Sequence, residues 1–172
     1  MAVTAKGTPY VESSDLVANY PGVSLALANH IDKIGKVLQV VSANFTGGVT
    51  TTSATYVTTN ITATITPSRT TSKVLIMANL PVGTDTGAEV PAYTLFRGTV
   101  AGTNLMASNG FTYLSSSASR LLALAACHFL DSPNTTSAQI YTIGFRRDLG
   151  SSTVNANFSS TTATIILMEV GA

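Results

Sequence analysis

Residues 57–65 read VTTNITATI, with Val57, Ile61, Ala63 and Ile65 on one parity and Thr58, Asn60, Thr62 and Thr64 on the other. A period of two puts the apolar set on one face of an extended strand and the hydroxyls and amide on the opposite face. Such a strand covers a core with one side and meets water with the other. Further along the chain, Tyr141, Ile143 and Phe145 set against Gln139, Thr142 and Arg146 predict a second strand with one wet face. From Lys36 onward Val, Ile, Thr, Ser and Tyr dominate, and turn residues interrupt them at short intervals, the texture of a sandwich or barrel. Ten strands are predicted, near 36–45, 53–65, 73–81, 92–97, 102–107, 111–115, 121–130, 138–146, 153–158 and 161–170. Their breakers are Gly47-Gly48, Thr66-Pro67-Ser68, Gly83 to Gly87, Gly98, Gly110, Asp131 to Asn134, and Gly150.

A second kind of strand is apolar on both faces: Val74 to Met77, Leu121 to Cys127, and Ile165 to Met168. A sandwich has one interior, so the outer apolar face of these strands needs a separate cover. With no helix to spare, the available cover is a neighbouring copy, which points to an obligate oligomer with a large apolar interface. The expectation is an all-β, jelly-roll-like β-sandwich, trimeric, with a short N-terminal arm and helix. Ile76 and Leu124 are expected to be buried whichever face of their strands turns inward.

The texture divides the chain into residues 1–35, an N-terminal attachment arm and helix, and residues 36–172, a β-sandwich head. Residues 2–12 show no sustained period and read as an extended arm. Ser13, Ser14 and Asp15 can cap a short helical turn over Leu16–Asn19. Pro21 suits the first position of a longer helix, where its missing N–H costs nothing, and Gly35 is placed to end that helix after Ile34. Leu27, Ile31, Ile34, Leu38 and Val41 step by heptad spacing, the last two beyond the helix. So short a helix must pack on something. Its stripe either packs on its own β head or forms a trimer or docking interface, and His30 beside it reads as a polar interface residue.

Only 10% of the residues are charged, well below the roughly 25% of an ordinary globular protein. The surface must be built from Ser, Thr, Asn and Gly, or be buried against other chains. A net charge of +1 exerts no general pull on nucleic acid, and the adjacent Arg146 and Arg147 sit beside Asp148 as a solvated strand end does. Cys127 is the only cysteine, so an intrachain disulfide is excluded and assembly in reducing cytosol is allowed. No secretory leader is expected, and the run Leu121–Leu130 is too short to span a bilayer, so no membrane insertion is expected.

The supply of catalytic groups is thin. Cys127 and His128 are neighbours in a strand and point to opposite faces, so they cannot form a nucleophile–base pair; both read as buried core residues. No nucleophile elbow, zinc spacing or phosphate loop is present, and neither an enzyme nor a cofactor is expected. Asp85 to Glu89 resembles a fragment of a cation loop but offers only two carboxylates, and a plain turn is the better reading.

Gly7-Thr8-Pro9-Tyr10-Val11-Glu12, Asp15-Leu16-Val17 and Val23 to Asp32 resemble the N-terminal segment of small tail-fibre and virion proteins of bacteriophages. Lys36 to Val41, Ile65-Thr66-Pro67, Ser72 to Ile76, Phe96-Arg97-Gly98 and Phe129 to Pro133 are similar to the β domain that follows in marine and cyanobacterial phage proteins. The resemblance implies a homotrimer in the virion, assembled in host cytoplasm, with an N-terminal part that attaches to other virion proteins and an exposed β head. It transfers no binding residue. The near absence of a shaft fits a capsid decoration protein or head fibre better than a short tail fibre. In the alternative, a receptor-binding tip, the apical loops 82–91 and 147–153 would touch host glycan.

Overall fold

The structure, a computed structural model, describes residues 2–3, 9–10, 20–31, 36–85, 89–108, 110–114, 120–158 and 161–171. Two short N-terminal strands, β1 (Ala2–Val3) and β2 (Pro9–Tyr10), pair with each other, and α1 (Tyr20–Ile31) packs against β2. Then come β3 (Val37–Phe45), β4 (Val49–Thr51), β5 (Val57–Ile65), β6 (Lys73–Thr84), β7 (Val90–Arg97), β8 (Thr103–Asn104) and β9 (Thr112–Tyr113). The chain closes with β10 (Leu121–Asp131), β11 (Gln139–Leu149), β12 (Val154–Ala156) and β13 (Ala163–Val170).

All pairing is antiparallel. One sheet runs β3-β13-β6-β10, extended at one end by β12 and β4, and the other runs β5-β11-β7 with β8 and β9 on the outer edge of β7. If β8 and β9 are taken as one interrupted strand, and the short β4 and β12 are set aside, eight strands remain. Their order is 1-8-3-6 in one sheet and 2-7-4-5 in the other, the jelly-roll arrangement of two interleaved Greek keys. The expected jelly-roll β-sandwich is what the chain forms.

The core lies between the sheets. β5 contributes Ile61, Ala63 and Ile65 on the parity read from the sequence, and Thr58, Asn60, Thr62 and Thr64 stay exposed. The bulk comes from one sheet: Tyr93, Tyr141 and Phe145 are fully buried, with the rings of Tyr93 and Phe145 stacked at 5.9 Å. Across from them, β6 and β10 turn in the small residues Ala78, Ala125 and Cys127, as close packing beside large rings demands. Buried hydroxyls find acceptors: Tyr93 Oη donates to the Asn155 carbonyl at 2.5 Å, and Tyr141 Oη donates to Asp131 Oδ2 at 2.7 Å. Arg97 Nη1 lies 3.1 Å from the same oxygen, so one end of the sandwich is clamped by an Arg97–Asp131–Tyr141 cluster spanning three strands.

Several expectations are corrected. β11 has no wet face in its middle, because Thr142 and Gly144 are buried as well as Tyr141, Ile143 and Phe145. The Phe96 ring and Val100 fold over that side, so closely that a Cβ at Gly144 would meet the ring at 2.7 Å. Gly83 does not break β6, which runs through to Thr84; glycine is needed there because a Cβ would stand 2.4 Å from the Leu121 carbonyl oxygen on β10. Residues 49–51, where no strand was expected, form β4, the strand expected at 53–65 begins at Val57, and the strands expected at 102–107 and 111–115 shrink to two residues each. Gly110, at φ +73°, sits between them 1.8 Å (by its would-be Cβ) from the Tyr93 carbonyl, and this close approach interrupts the strand. Residues 2–12 do not lie wholly extended: Ala2 pairs with Tyr10 and Val3 with Pro9. The helical turn expected over Leu16–Asn19 lies outside the described residues.

At the same end as Asp131, and across Val74 of β6 from it in register, Glu169 of β13 is fully buried. Its Oε1 accepts hydrogen bonds from Ser68 N and Ser68 Oγ, both at 2.7 Å, and its Oε2 accepts from Gln39 Nε2 at 2.6 Å. Burial alone raises its pKa, but these donors outweigh it and hold the carboxyl down at about 2. A depressed carboxylate adds stability that is full above its unfolded pKa and is lost as pH falls through the folded one. Between about pH 4.5 and 2 the wild type should therefore lose on the order of 3 kcal/mol from this group. Glu169→Gln should remove that acid dependence, read as a flatter plot of urea midpoint against pH; a parallel slope in the variant would assign the acid sensitivity elsewhere.

Candidate interaction surface

The outer faces of the two sheets differ in chemistry. The sheet built on β5, β11 and β7 exposes Thr58, Asn60, Thr62 and Thr64, with Arg146 pairing with Asp148 and lying over the Tyr56 ring. The sheet built on β3, β13, β6 and β10 turns out an apolar face, and the pairing registers give its rows. One row is Val40–Met168–Leu75–Leu130, and the next is Ser42–Ile166–Met77–His128. Asn44–Thr164–Asn79–Ala126 follows, then Pro81 beside Leu124 and Gly83 beside Leu122.

Leu124 is 69% exposed, Val40 56%, Leu122 55% and Leu130 49%. Leu75, Met77, Ile166 and Met168 are half-buried between them. A shallow hollow opens at the centre, edged by Met77, Asn79, Ala126, His128, Thr164 and Ile166. A second, more apolar one opens at the end, between Pro81, Leu122, Leu124 and Phe158. Arg120 stacks on Phe158 with its guanidinium 4.4 Å from the ring centre and closes that end. Among the described residues, the charged or titratable side chains on or bordering this face are Lys73 at one corner, Arg120 and Asp85 at the opposite end, and His128.

Two expectations about β10 are overturned here. Leu124 is exposed rather than buried, and so is His128. The strand is apolar on both faces as read, but its parity is set by size: Ala125 and Cys127 fit beneath the large rings, so the leucines turn outward. Cys127 points inward, where burial pushes its thiol up to about 11, and His128 points outward, so the two do not meet. The alternation of Leu122 and Leu124 with Ala123 and Ala125 was the signal that could have found the exposed face.

The predicted interface residues are not gathered in one place. Leu27 is half-buried on α1, where Val23 is the buried residue and Leu25 is exposed. Leu38 shares the outer parity of β3 with Val40, whereas Val41 packs inward on the core. The side chain of Ile31 and the whole of Ile34 lie outside the described residues. His30's side chain does too.

The apical loops are tied to one another. Buried Glu89 accepts hydrogen bonds through Oε1 from the backbone N–H groups of Ser151, at 2.9 Å, and Ser152, at 2.6 Å. Asp85 accepts from Asn155 Nδ2 at 3.1 Å. Residues 86–88 of the possible cation loop lie outside the described residues, and among the described residues no three His, Cys, Asp or Glu side chains converge. No helix among them is long and apolar enough to cross a membrane.

No family model matches the chain, and no curated protein matches it. Among solved structures it is similar to a chain of T=1 particles derived from infectious bursal virus, at 10% identity and a TM-score of 0.42, covering 80% of this chain and 37% of that one. It is also similar to a chain of the infectious bursal disease virus Gx strain, at 14% identity and a TM-score of 0.33, covering 80% of this chain and 38% of that one. The present chain thus spans well under half the length of the chains it is compared with.

Proposed function

We propose that this chain is a structural protein of a bacteriophage particle: a homotrimeric surface appendage that decorates or cements the capsid. The observation that carries the reading is the apolar outer face of β3, β13, β6 and β10. Monomeric proteins rarely leave so contiguous an apolar patch in water. Strands about 4.8 Å apart and 9, 8, 12 and 11 residues long, at about 3.3 Å per residue, give roughly 630 Å² per copy, somewhat below the roughly 800 Å² per partner of a standard interface. A face whose charged groups, Lys73, Arg120 and Asp85, stand only at its ends offers little to nucleic acid, and it suits another apolar surface of a second copy, the heterologous contact that closes a three-fold ring. The resemblance of stretches within residues 7–32 to the N-terminal segment of phage virion proteins supplies the particle, with residues 1–35 as the attachment to other virion proteins. Jelly rolls serve as capsid and lectin domains alike, so the fold supports this reading without deciding it.

Light scattering of the purified protein should give about three times 17.8 kDa, with unfolding midpoints that rise with concentration. A monodisperse monomer at micromolar concentration would sink the proposal. A second reading, a short tail fibre whose tip touches host glycan, is favoured by the Glu89 link that holds loops 82–91 and 147–153 together at one end. A low-resolution map of the particle separates the two. Decoration places many copies over the capsid, and a tail tip places a few at the tail.

A further inference from the structure

Resting on the reading of the outer face as the contact between copies, we propose that His128 makes assembly pH-dependent, so that the trimer holds at neutral pH and loosens in mild acid. His128 stands near the middle of the face, and its cross-strand neighbour is Met77, with Ile166 beyond it in the same row. Along its own strand the outward neighbours are Ala126 and Leu130, and on the diagonals of β6 they are Leu75 and Asn79. None of these carries a negative charge. On β3 and β13 the outward residues are Leu38, Val40, Ser42, Asn44, Thr164, Ile166, Met168 and Val170, again without a carboxylate. The nearest acid on β10, Asp131, points inward and is held by Arg97 and Tyr141. The charged groups that border the face are Lys73 at one corner and Arg120 with Asp85 at the far end, none of them in the rows next to His128.

A second copy laid on this face takes His128 out of water. A neutral imidazole tolerates that where it keeps one polar partner, and Asn79 and Thr164 lie within the same hollow. An imidazolium in the same place loses its hydration and finds no counter-charge among its own chain's neighbours on the face, which is costly. The sign follows from linkage. The assembled state disfavours the protonated form, so dissociation takes up protons, and the trimer weakens as pH falls. Imidazole is the side chain whose charge ordinarily changes between about pH 5 and 8, so the comparison is made across that window. Three chains take up as many as three protons. The steepness can therefore exceed a single titration, and acid would release the appendage while each sandwich stays folded, because Glu169 remains ionised far below that window.

The test compares wild type, His128→Gln and His128→Lys by light scattering and sedimentation at pH 8 and pH 5, with circular dichroism to follow the fold. The expected result is a wild-type trimer at pH 8 whose dissociation constant rises at least about a hundredfold at pH 5. His128→Gln should stay trimeric at both pH values, and His128→Lys should dissociate already at pH 8. A wild type equally trimeric at both pH values overturns the gate and leaves the interface standing. A His128→Gln that falls apart in acid as the wild type does overturns it too. A wild-type monomer at pH 8 overturns the reading of the face, and the gate with it.

Discussion

Ile76→Ala is expected to cost about 2–5 kcal/mol of stability at every protein concentration, whereas Leu124→Ala should act through assembly alone. Ile76 is fully buried on β6, paired in register with Leu167 of β13 and Phe129 of β10, so truncation leaves a cavity that the two flanking strands cannot collapse. Leu124 is two-thirds exposed on the outer face, and no neighbour in its own chain covers it. Its loss should lower the unfolding midpoint more as the protein is diluted, since what it removes is contact with another copy. Leu124→Asp should go further and abolish the trimer, because a carboxylate buried among Pro81, Leu122 and Phe158 would lose its hydration in an apolar contact. Denaturant midpoints at several concentrations, with scattering at each, separate the two behaviours. Equal and concentration-independent losses for Ile76→Ala and Leu124→Ala would mean that Leu124 belongs to a core.

The same pair of residues marks how far the sequence could be read. In β5, alternation and polarity agree, and the inward set Ile61, Ala63 and Ile65 is legible because every outward residue bears a hydroxyl or an amide. In β10 both faces are apolar, so polarity is silent and side-chain volume decides. The choice depends on Tyr93, Tyr141 and Phe145, which arrive from other strands far along the chain. The three strands apolar on both faces were recognisable, but nothing in their own residues said that they would lie side by side in one sheet. That adjacency comes from the order β13-β6-β10, a property of the jelly roll. It turns three separate oddities into one continuous face. The burial of β11 on both sides was hidden for a similar reason, since Phe96 and Val100, which cover Gly144, belong to another strand and its loop. The heptad reading passed from a helix into β3, where a period of two sends Leu38 and Val41 to opposite sides.

Deleting residues 1–20 should leave the β head folded while abolishing incorporation into particles. Among the described residues, β1 and β2 pair with each other and with no strand of the sandwich, and α1 packs against β2. Every hydrogen-bonded ladder of the jelly roll lies after Lys36, so removing the arm takes away no strand of either sheet. The circular dichroism of the β head should be nearly unchanged and its urea midpoint close to that of the full chain. The four paired residues of β1 and β2 are too few to be stable alone, and a two-stranded unit of this size holds its place by packing on something else. In the proposed particle that support is a neighbouring virion protein, which supplies the apolar cover and hydrogen bonds that the segment cannot supply for itself. Most of α1 is retained in the deletion, so loss of loading cannot be assigned to loss of the whole N-terminal helix, and scattering shows whether the trimer survives. A truncated protein that loads at wild-type occupancy moves attachment to the β head. One that fails to fold makes the arm part of the head's own structure.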